Sequence, residues 1–408
     1  MSRIDDLIRD LCPDGVEFRT LEEIFETRNG YTPSKNDPEA WAGNDVPWFR
    51  MDDIRSRGRI LRDATQRISI SAVKGDKTFP ADSILVATSA TIGEHALVRV
   101  PHLSNQRFTN LAIKDNFKNS FDIKFLFYYC FKLDEWCTKN TTTSSFSSVD
   151  MKGFKKFKFP IPPLEVQQEI AKTLDQFTQL EAELEAELEA RRHQYNYYLD
   201  ELLSFKSESN TLWRPLAQLG TFHRGKRFVK TDYSDRGIPC IHYGEIYTRY
   251  GVSTSSVVSN LDESLQPKLR FAQPGDVILV DVGEVVDDVG RSVAWIGDEP
   301  VAIHDHSYAF RSALNPTFVS YVMRTDWFRR QKAKHVARTK VKTLLVDGFS
   351  KIRIPVPPRA EQDHIVDKLN QFDALVNDLN SGLPAEIKAR RQQYEHYRNQ
   401  LLTFPERN

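Results

Sequence analysis

Apolar residues recur at steps of three, four and seven along two long, otherwise polar stretches. The first carries Ile170, Leu174, Phe177, Leu180, Leu184, Leu188, Tyr195, Leu199 and Leu202; the second carries Ile365, Leu369, Phe372, Leu375, Leu379, Ile387, Tyr394, Tyr397 and Leu401. That spacing keeps apolar side chains on one stripe of an α-helix. One stripe on each of two long helices predicts that they pair, with Ile170, Leu174, Phe177, Leu184, Leu188, Tyr195 and Leu202 facing Ile365, Leu369, Phe372, Leu379, Ile387, Tyr394 and Leu401. At about 1.5 Å per residue, residues 165–204 would span on the order of 60 Å, the length of a spacer rather than of a core helix.

Each helix is preceded by a proline cluster, Pro160-Ile161-Pro162-Pro163 and Pro355-Val356-Pro357-Pro358. Proline removes a backbone donor, so it stops a strand and is tolerated near a helix start. The likeness continues downstream: Ala190-Arg191-Arg192 answers Ala389-Arg390-Arg391, and Leu202-Leu203-Ser204-Phe205 answers Leu401-Leu402-Thr403-Phe404. A repeat this long implies two similar halves. Within the first helix Leu180-Glu181-Ala182-Glu183 recurs as Leu184-Glu185-Ala186-Glu187 and begins again at Leu188, each unit adding about one turn, or roughly 6 Å. In the second, Ser381-Gly382-Leu383-Pro384 predicts a kink or a split.

The two remaining stretches have the short apolar runs of strands between turns, as in Val46-Pro47-Trp48-Phe49 and Ser83-Ile84-Leu85-Val86-Ala87. Their order repeats too: Arg50 to His242, Val86 to Leu279 and Gly153-Phe154 to Gly348-Phe349 are anchor correspondences, with low identity between them. A shared framework with different surfaces suits two modules that bind two different things. The expected segments are a mixed domain over 1–158, the first cluster and helix over 159–206, a second mixed domain over 207–353, and the second cluster and split helix over 354–408.

Composition bounds this picture loosely. At 408 residues with 40% hydrophobic and 27% charged residues, the chain is ordinary globular material for two domains. No run of about 18 apolar residues and no signal-like start is present, so a cytoplasmic location is expected. Cys12, Cys130, Cys137 and Cys240 lack CxxC spacing, which predicts buried thiols. Lys and Arg total 56 against 56 Asp and Glu, a formal net charge of zero. The balance is uneven: residues 206–351 hold 21 basic and 16 acidic side chains, a net of +5, and residues 324–342 hold eight bases against Asp326 alone. A basic face inside a neutral total is the pattern of a DNA binder.

Two variable mixed domains, each followed by Pro-x-Pro-Pro and a long helix, resemble the specificity subunit of type I restriction-modification systems. The Pro-Pro-Leu-Glu-x-Gln-Gln run at residues 162–168, the Gly30-Tyr31-Thr32-Pro33-Ser34 loop and residues 383–391 carry the resemblance. It implies an α+β fold: two mixed α/β target-recognition domains separated by two long antiparallel helices forming a coiled coil, with a pseudo-two-fold internal repeat. It further implies a non-enzymatic subunit that binds double-stranded DNA and two modification (methyltransferase) subunits, together with restriction (translocase and endonuclease) subunits. Each domain would read one half of a split site. This chain would bind no cofactor; S-adenosylmethionine, ATP and Mg would belong to its partners. The tetrapeptide repeat resembles the element that sets the unread gap in this family.

Reading DNA requires side chains that bridge base edges, plus phosphate contacts that fix register. Candidates in the first domain are Tyr31, Thr32, Ser34, Lys35, Arg50, Arg55, Arg57, Arg59, Thr88, Ser89, Asn105, Gln106 and Arg107. In the second they are Lys226, Arg227, His242, Tyr243, Arg249, Arg291, Arg338, Thr339, Lys340 and Lys342, where Gly225-Lys226-Arg227-Phe228 replaces the Gly-x-Thr-Pro-Ser loop. His304-Asp305-His306 lacks a third ligand at metal spacing, so packing or a DNA-facing role is expected. Asp281, Glu284, Asp287 and Asp288 read as an exposed acidic loop. No Gly-rich phosphate loop and no catalytic constellation is present. The alternative reading is a coiled-coil scaffold with two protein- or peptide-binding domains, against which the basic second domain argues.

Overall fold

A computed structural model describes residues 3–142, 147–205, 211–377 and 382–407. The chain forms two compact units, one of residues 1–182 with 389–408 and the other of residues 183–388. This division cuts within the helices, whereas the sequence segmentation cut at their ends.

In the first unit a five-stranded sheet runs in the order Phe25–Asn29, Phe108–Ile113, Ser83–Ala87, His95–Val98, Ile60–Leu61. Ser83–Ala87 is buried at every position because both faces of the sheet are covered, which is why it reads as an unbroken apolar run. Ile84 and Val86 enter one core with the helix Ile123–Lys139; Leu85 and Ala87 enter another with Trp48, Phe49 and Phe79. A smaller three-stranded sheet, Arg67–Ile68, Val46–Phe49, Leu103–Ser104, closes that second core. The helix Ile123–Lys139 starts where the Asp122 carboxylate accepts the N–H groups of Lys124 and Phe125.

The second unit repeats the plan. Its five-stranded sheet runs Gly220–Arg224, Ser307–Ser312, Val277–Val280, Ser292–Trp295, Ser253–Thr254. Val277 and Leu279 face the helices Pro316–Val322 and Asp326–Ala333, and Ile278 and Val280 face the core around Ile241, Trp295 and Ile303. Each proline cluster forms one strand of a two-stranded ribbon: Lys158–Ile161 pairs with Glu17–Thr20, and Arg353–Val356 pairs with Leu212–Pro215. All four cysteines are free and buried.

The first long helix is continuous over Leu164–Leu202, and the second is two helices, Arg359–Asn377 and Leu383–Leu401. Leu379 and Ser381, part of the expected stripe and split, lie outside the described residues. Pairing is antiparallel within the first unit: Phe177 stacks on Tyr397 at 5.6 Å and meets Tyr394 at 6.3 Å, while Glu181, a turn on, accepts from Arg391 at 2.5 Å. Within the second unit Tyr198 stacks on Phe372 at 4.9 Å.

The stripe serves more than pairing. Ile170, Leu174 and Leu401 are buried in the first globular core, and Tyr195, Leu199, Ile365 and Leu369 in the second. Ile387 is buried; Phe177, Leu184, Leu188, Leu202, Phe372 and Tyr394 are half-buried. Leu375, expected on the stripe, is exposed, and the neighbouring Val376 is buried instead. Leu180, at the start of the tetrapeptide repeat, is also exposed.

Candidate nucleic-acid interface

In the first unit four segments distant in sequence converge on one rim of the small sheet. Gly30 N–H donates to the Phe108 carbonyl at 2.9 Å, and Tyr31 N–H to that of Ser104 at 2.8 Å. This lays residues 30–35 along residues 104–107. The approach requires glycine, since a Cβ on Gly30 would sit 2.1 Å from the Asn105 carbonyl oxygen. The Thr32 hydroxyl donates to Gln106 Oε1 at 2.5 Å. Asn105 N–H binds the Phe49 carbonyl at 3.1 Å, bringing in Arg50, and Thr88 N–H binds the Arg107 carbonyl at 2.9 Å, bringing in residues 88–89. Lys35, Gln106 and Arg107 are exposed on this rim, with Thr32, Arg50 and Ser89 half-buried. Arg50 N–H is held by Asp53 Oδ2 at 2.8 Å, and its guanidinium lies 5.7 Å from the Trp48 ring.

Three first-unit candidates are engaged by their own unit. Arg59 turns inward, over the Phe131 ring at 4.9 Å and 3.4 Å from the Asp134 carboxylate, which also binds the buried His95 at 2.6 Å. Thr88 is buried, its hydroxyl 2.9 Å from that of Thr109, which donates to Asn29 Oδ1 at 2.9 Å. Tyr31 spends its hydroxyl on the Ala72 carbonyl and Lys74 N–H, at 2.9 and 2.8 Å, so it anchors the loop. Ser34 is exposed, and its hydroxyl accepts from Asn36 N–H at 3.2 Å. Arg55 lies 3.9 Å from Glu94 and, like Arg57, is exposed on the helix that follows Arg50.

The second unit builds the same rim from different residues. Gly225 N–H donates to the Ser307 carbonyl at 3.0 Å and Lys226 N–H to that of Ile303 at 2.9 Å; a Cβ on Gly225 would lie 2.2 Å from the His304 carbonyl oxygen. His304-Asp305-His306 therefore stands where Asn105-Gln106-Arg107 stands in the first unit. Strand register agrees: Phe49 pairs with Ser104 and Ile241 with Ile303, placing His242 at the position of Arg50. His242 N–H is held by Glu245 Oε2 at 2.9 Å, as Asp53 holds Arg50. Asp281 N–H binds the His306 carbonyl at 3.1 Å, so Asp281 replaces Thr88.

The rim chemistry differs accordingly. His242, Tyr243, His304 and His306 cluster, with His242 and His304 rings 4.5 Å apart and Tyr243 and His306 rings 5.4 Å apart. Burial, reinforced by repulsion from His242, lowers His304 to about 4, so it is neutral near pH 7. Asp281 is no part of an exposed acidic loop. It is buried, 3.3 Å from both Arg224 Nη2 and His306 Nδ1, and burial raises its carboxyl against the opposing pull of these two neighbours. Glu284 and Asp287 are exposed. Lys226, Arg227, Arg249 and Arg291 are exposed, with Arg291 5.9 Å from the Tyr247 ring. Arg338, Thr339 and Lys340 sit on an exposed hairpin, where the half-buried Lys342 donates to the Thr339 carbonyl at 2.7 Å.

The basic stretch over 324–342 is not all surface. Lys332 is buried, donating to the carbonyls of Val289 and Asp287, and Arg324 donates to the Gly251 carbonyl at 2.7 Å. Arg224 was missing from the sequence candidates and Asp281 was expected only in an acidic loop, whereas His304-Asp305-His306 was expected to pack or to face DNA. Extending the alignment Val86 to Leu279 by two residues would have exposed the Thr88 to Asp281 replacement. Among the described residues no group of three or more His, Cys, Asp or Glu is placed to hold a metal ion, and no helix is long and apolar enough to cross a membrane.

Comparison with known proteins agrees with this duplication. The family described as "Type I restriction modification DNA specificity domain" matches twice, over residues 13–190 and 212–389. The chain is 61% identical over 204 residues to the type I restriction enzyme EcoprrI specificity subunit of Escherichia coli, an alignment covering 47% of this chain and 51% of that one. It is 28% identical to the EcoR124I/EcoR124II specificity subunit of Escherichia coli, covering 89% of this chain and 95% of that one. In fold it is similar to a chain from a structure concerning complex assembly and conformational transition of the type I R-M system, with a TM-score of 0.66 at 14% identity over 96% of this chain and 98% of that one. With two copies of the family's domain across most of its length, the chain belongs to the type I restriction-modification specificity family.

Proposed function

We propose that the chain is the DNA-reading subunit of a type I restriction-modification complex, each unit reading one half of a split site. The observation that carries this is one rim built twice, a glycine loop laid on Asn105-Gln106-Arg107 and again on His304-Asp305-His306, with different side chains presented each time. A common frame with exchanged polar groups is what two different base sequences demand. The long helices set the gap and dock two modification subunits. Methylation with S-adenosylmethionine, and translocation and cleavage with ATP and Mg, belong to partner subunits in the cytoplasm. This chain supplies no catalytic group.

Deleting Leu184-Glu185-Ala186-Glu187 removes about one helical turn, roughly 6 Å, close to two base-pair rises of about 3.4 Å. Methylated sites in cells with this variant should keep both half-sites and lose about two base pairs of gap. Altered half-sites with an unchanged gap would overturn the spacer role.

A further inference from the structure

We propose that His306, with its tautomer and orientation fixed by Asp281, is a base-reading side chain of the second unit at the position that Arg107 occupies in the first. The inference rests on the DNA-reading function above and names residues within it.

Three backbone contacts make the equivalence. The glycine loop N–H groups reach Phe108 and Ser104 in one unit and Ser307 and Ile303 in the other, and the residue after the strand Ser83–Ala87 or Val277–Val280, Thr88 or Asp281, donates its N–H to the carbonyl of Arg107 or His306. The two side chains thus leave the same point of the same frame. Arg107 is exposed, and no side-chain hydrogen bond is assigned to its guanidinium among the described residues. His306 is 41% exposed.

Beneath them the support differs. Under Arg107 lies a neutral chain of Thr88, Thr109 and Asn29. Under His306 lies the buried Asp281, fixed by Arg224, whose Nε also donates to the Asp305 carbonyl at 3.0 Å. In the neutral ring, a carboxylate accepting from Nδ1–H leaves Nε2 as the acceptor. Acceptor Nε2 suits the exocyclic amino group of adenine or cytosine, whereas a guanidinium suits the O6 and N7 of guanine. Tyr243 and His304, with rings 5.4 and 5.6 Å away, flank the ring and restrict its swing. An ordinary surface histidine lacks such a buried carboxylate.

The test is selection of DNA from a pool randomised across both half-sites, by the chain assembled with its modification subunits. His306→Ala should flatten preference at one base pair of the second half-site by roughly tenfold and leave the first half-site and the gap unchanged. His306→Arg should bring guanine to that base pair. Asp281→Ala should loosen the same base pair less strongly. Replacing adenine there with purine, or cytosine with 2-pyrimidinone, removes the amino group; wild type should lose about tenfold in affinity and His306→Ala nothing. His306→Gln, with the first half-site as internal control for assembly, guards against misfolding. Unchanged preference in His306→Ala and His306→Gln, or Asp281→Ala acting at a different base pair, overturns the assignment. A wild-type complex selecting no split site would instead overturn the function on which it rests.

Discussion

The side chain of Gln167 accepts the backbone N–H of Asp122 at 2.9 Å, joining the start of the first long helix to the start of the helix under the sheet. Its amide donates to the carbonyls of Ser120 and Pro162 at 2.9 and 2.8 Å. Gln362 repeats the arrangement, accepting from Asn315 N–H and donating to the Pro357 carbonyl, both at 2.8 Å. Both glutamines are buried. The glutamine five residues after the first proline of each Pro-Pro pair is thus a joint between module and helix.

Gln167→Leu keeps the volume and strands a buried N–H and two carbonyls, so it should cost about 2–3 kcal/mol. Gln362→Leu should act likewise in the other unit. Urea unfolding of each variant checks this, and an unchanged midpoint for both would contradict the joint.

Gly30→Ala tests whether the glycine loops hold the reading rims. Its Cβ would collide with the Asn105 carbonyl, which is fixed to backbone and cannot rotate away. The expected outcome is at least a tenfold loss of discrimination in one half-site, the other remaining intact; Gly225→Ala should reverse the pattern. DNA selection reads both, and a loss spread evenly over both half-sites would contradict independent reading.

His102 makes the first unit acid-sensitive. Its Nδ1–H donates to the Val100 carbonyl at 2.9 Å, with the ring edge-on to Phe49 and Phe79, and burial lowers its pKa to about 4. The unfolded histidine takes a proton near pH 6.5 and the folded one does not until about 4, so stability is full above pH 6.5 and falls as pH drops through that window. The slope from this residue is about 1.4 kcal/mol per pH unit. Urea unfolding of His102→Gln should be correspondingly less dependent on pH between 6.5 and 4. Equal dependence in wild type and variant would contradict the neutral buried ring.

Periodicity located the long helices because the 39-residue helix from Leu164 repeats apolar residues at helical spacing, and the proline clusters marked their starts. Buried strands such as Val277–Val280 were legible as apolar runs because both faces are covered. The rim was harder. Arg59 and Lys332 are charged and therefore looked exposed, but Asp134 and the backbone carbonyls that satisfy them are distant in sequence. Val376 rather than Leu375 is buried because the local helix phase, set by packing, decides between adjacent apolar residues. Asp281 and His306 form a pair only through the sheet, which single-residue composition does not encode.

Methylome sequencing of cells expressing this chain with its modification subunits, compared with cells lacking it, tests the central claim most directly. The account predicts a split motif with adenine methylated in both halves. No new methylated motif, despite a demonstrated complex, would contradict it and favour a scaffold whose two units bind proteins.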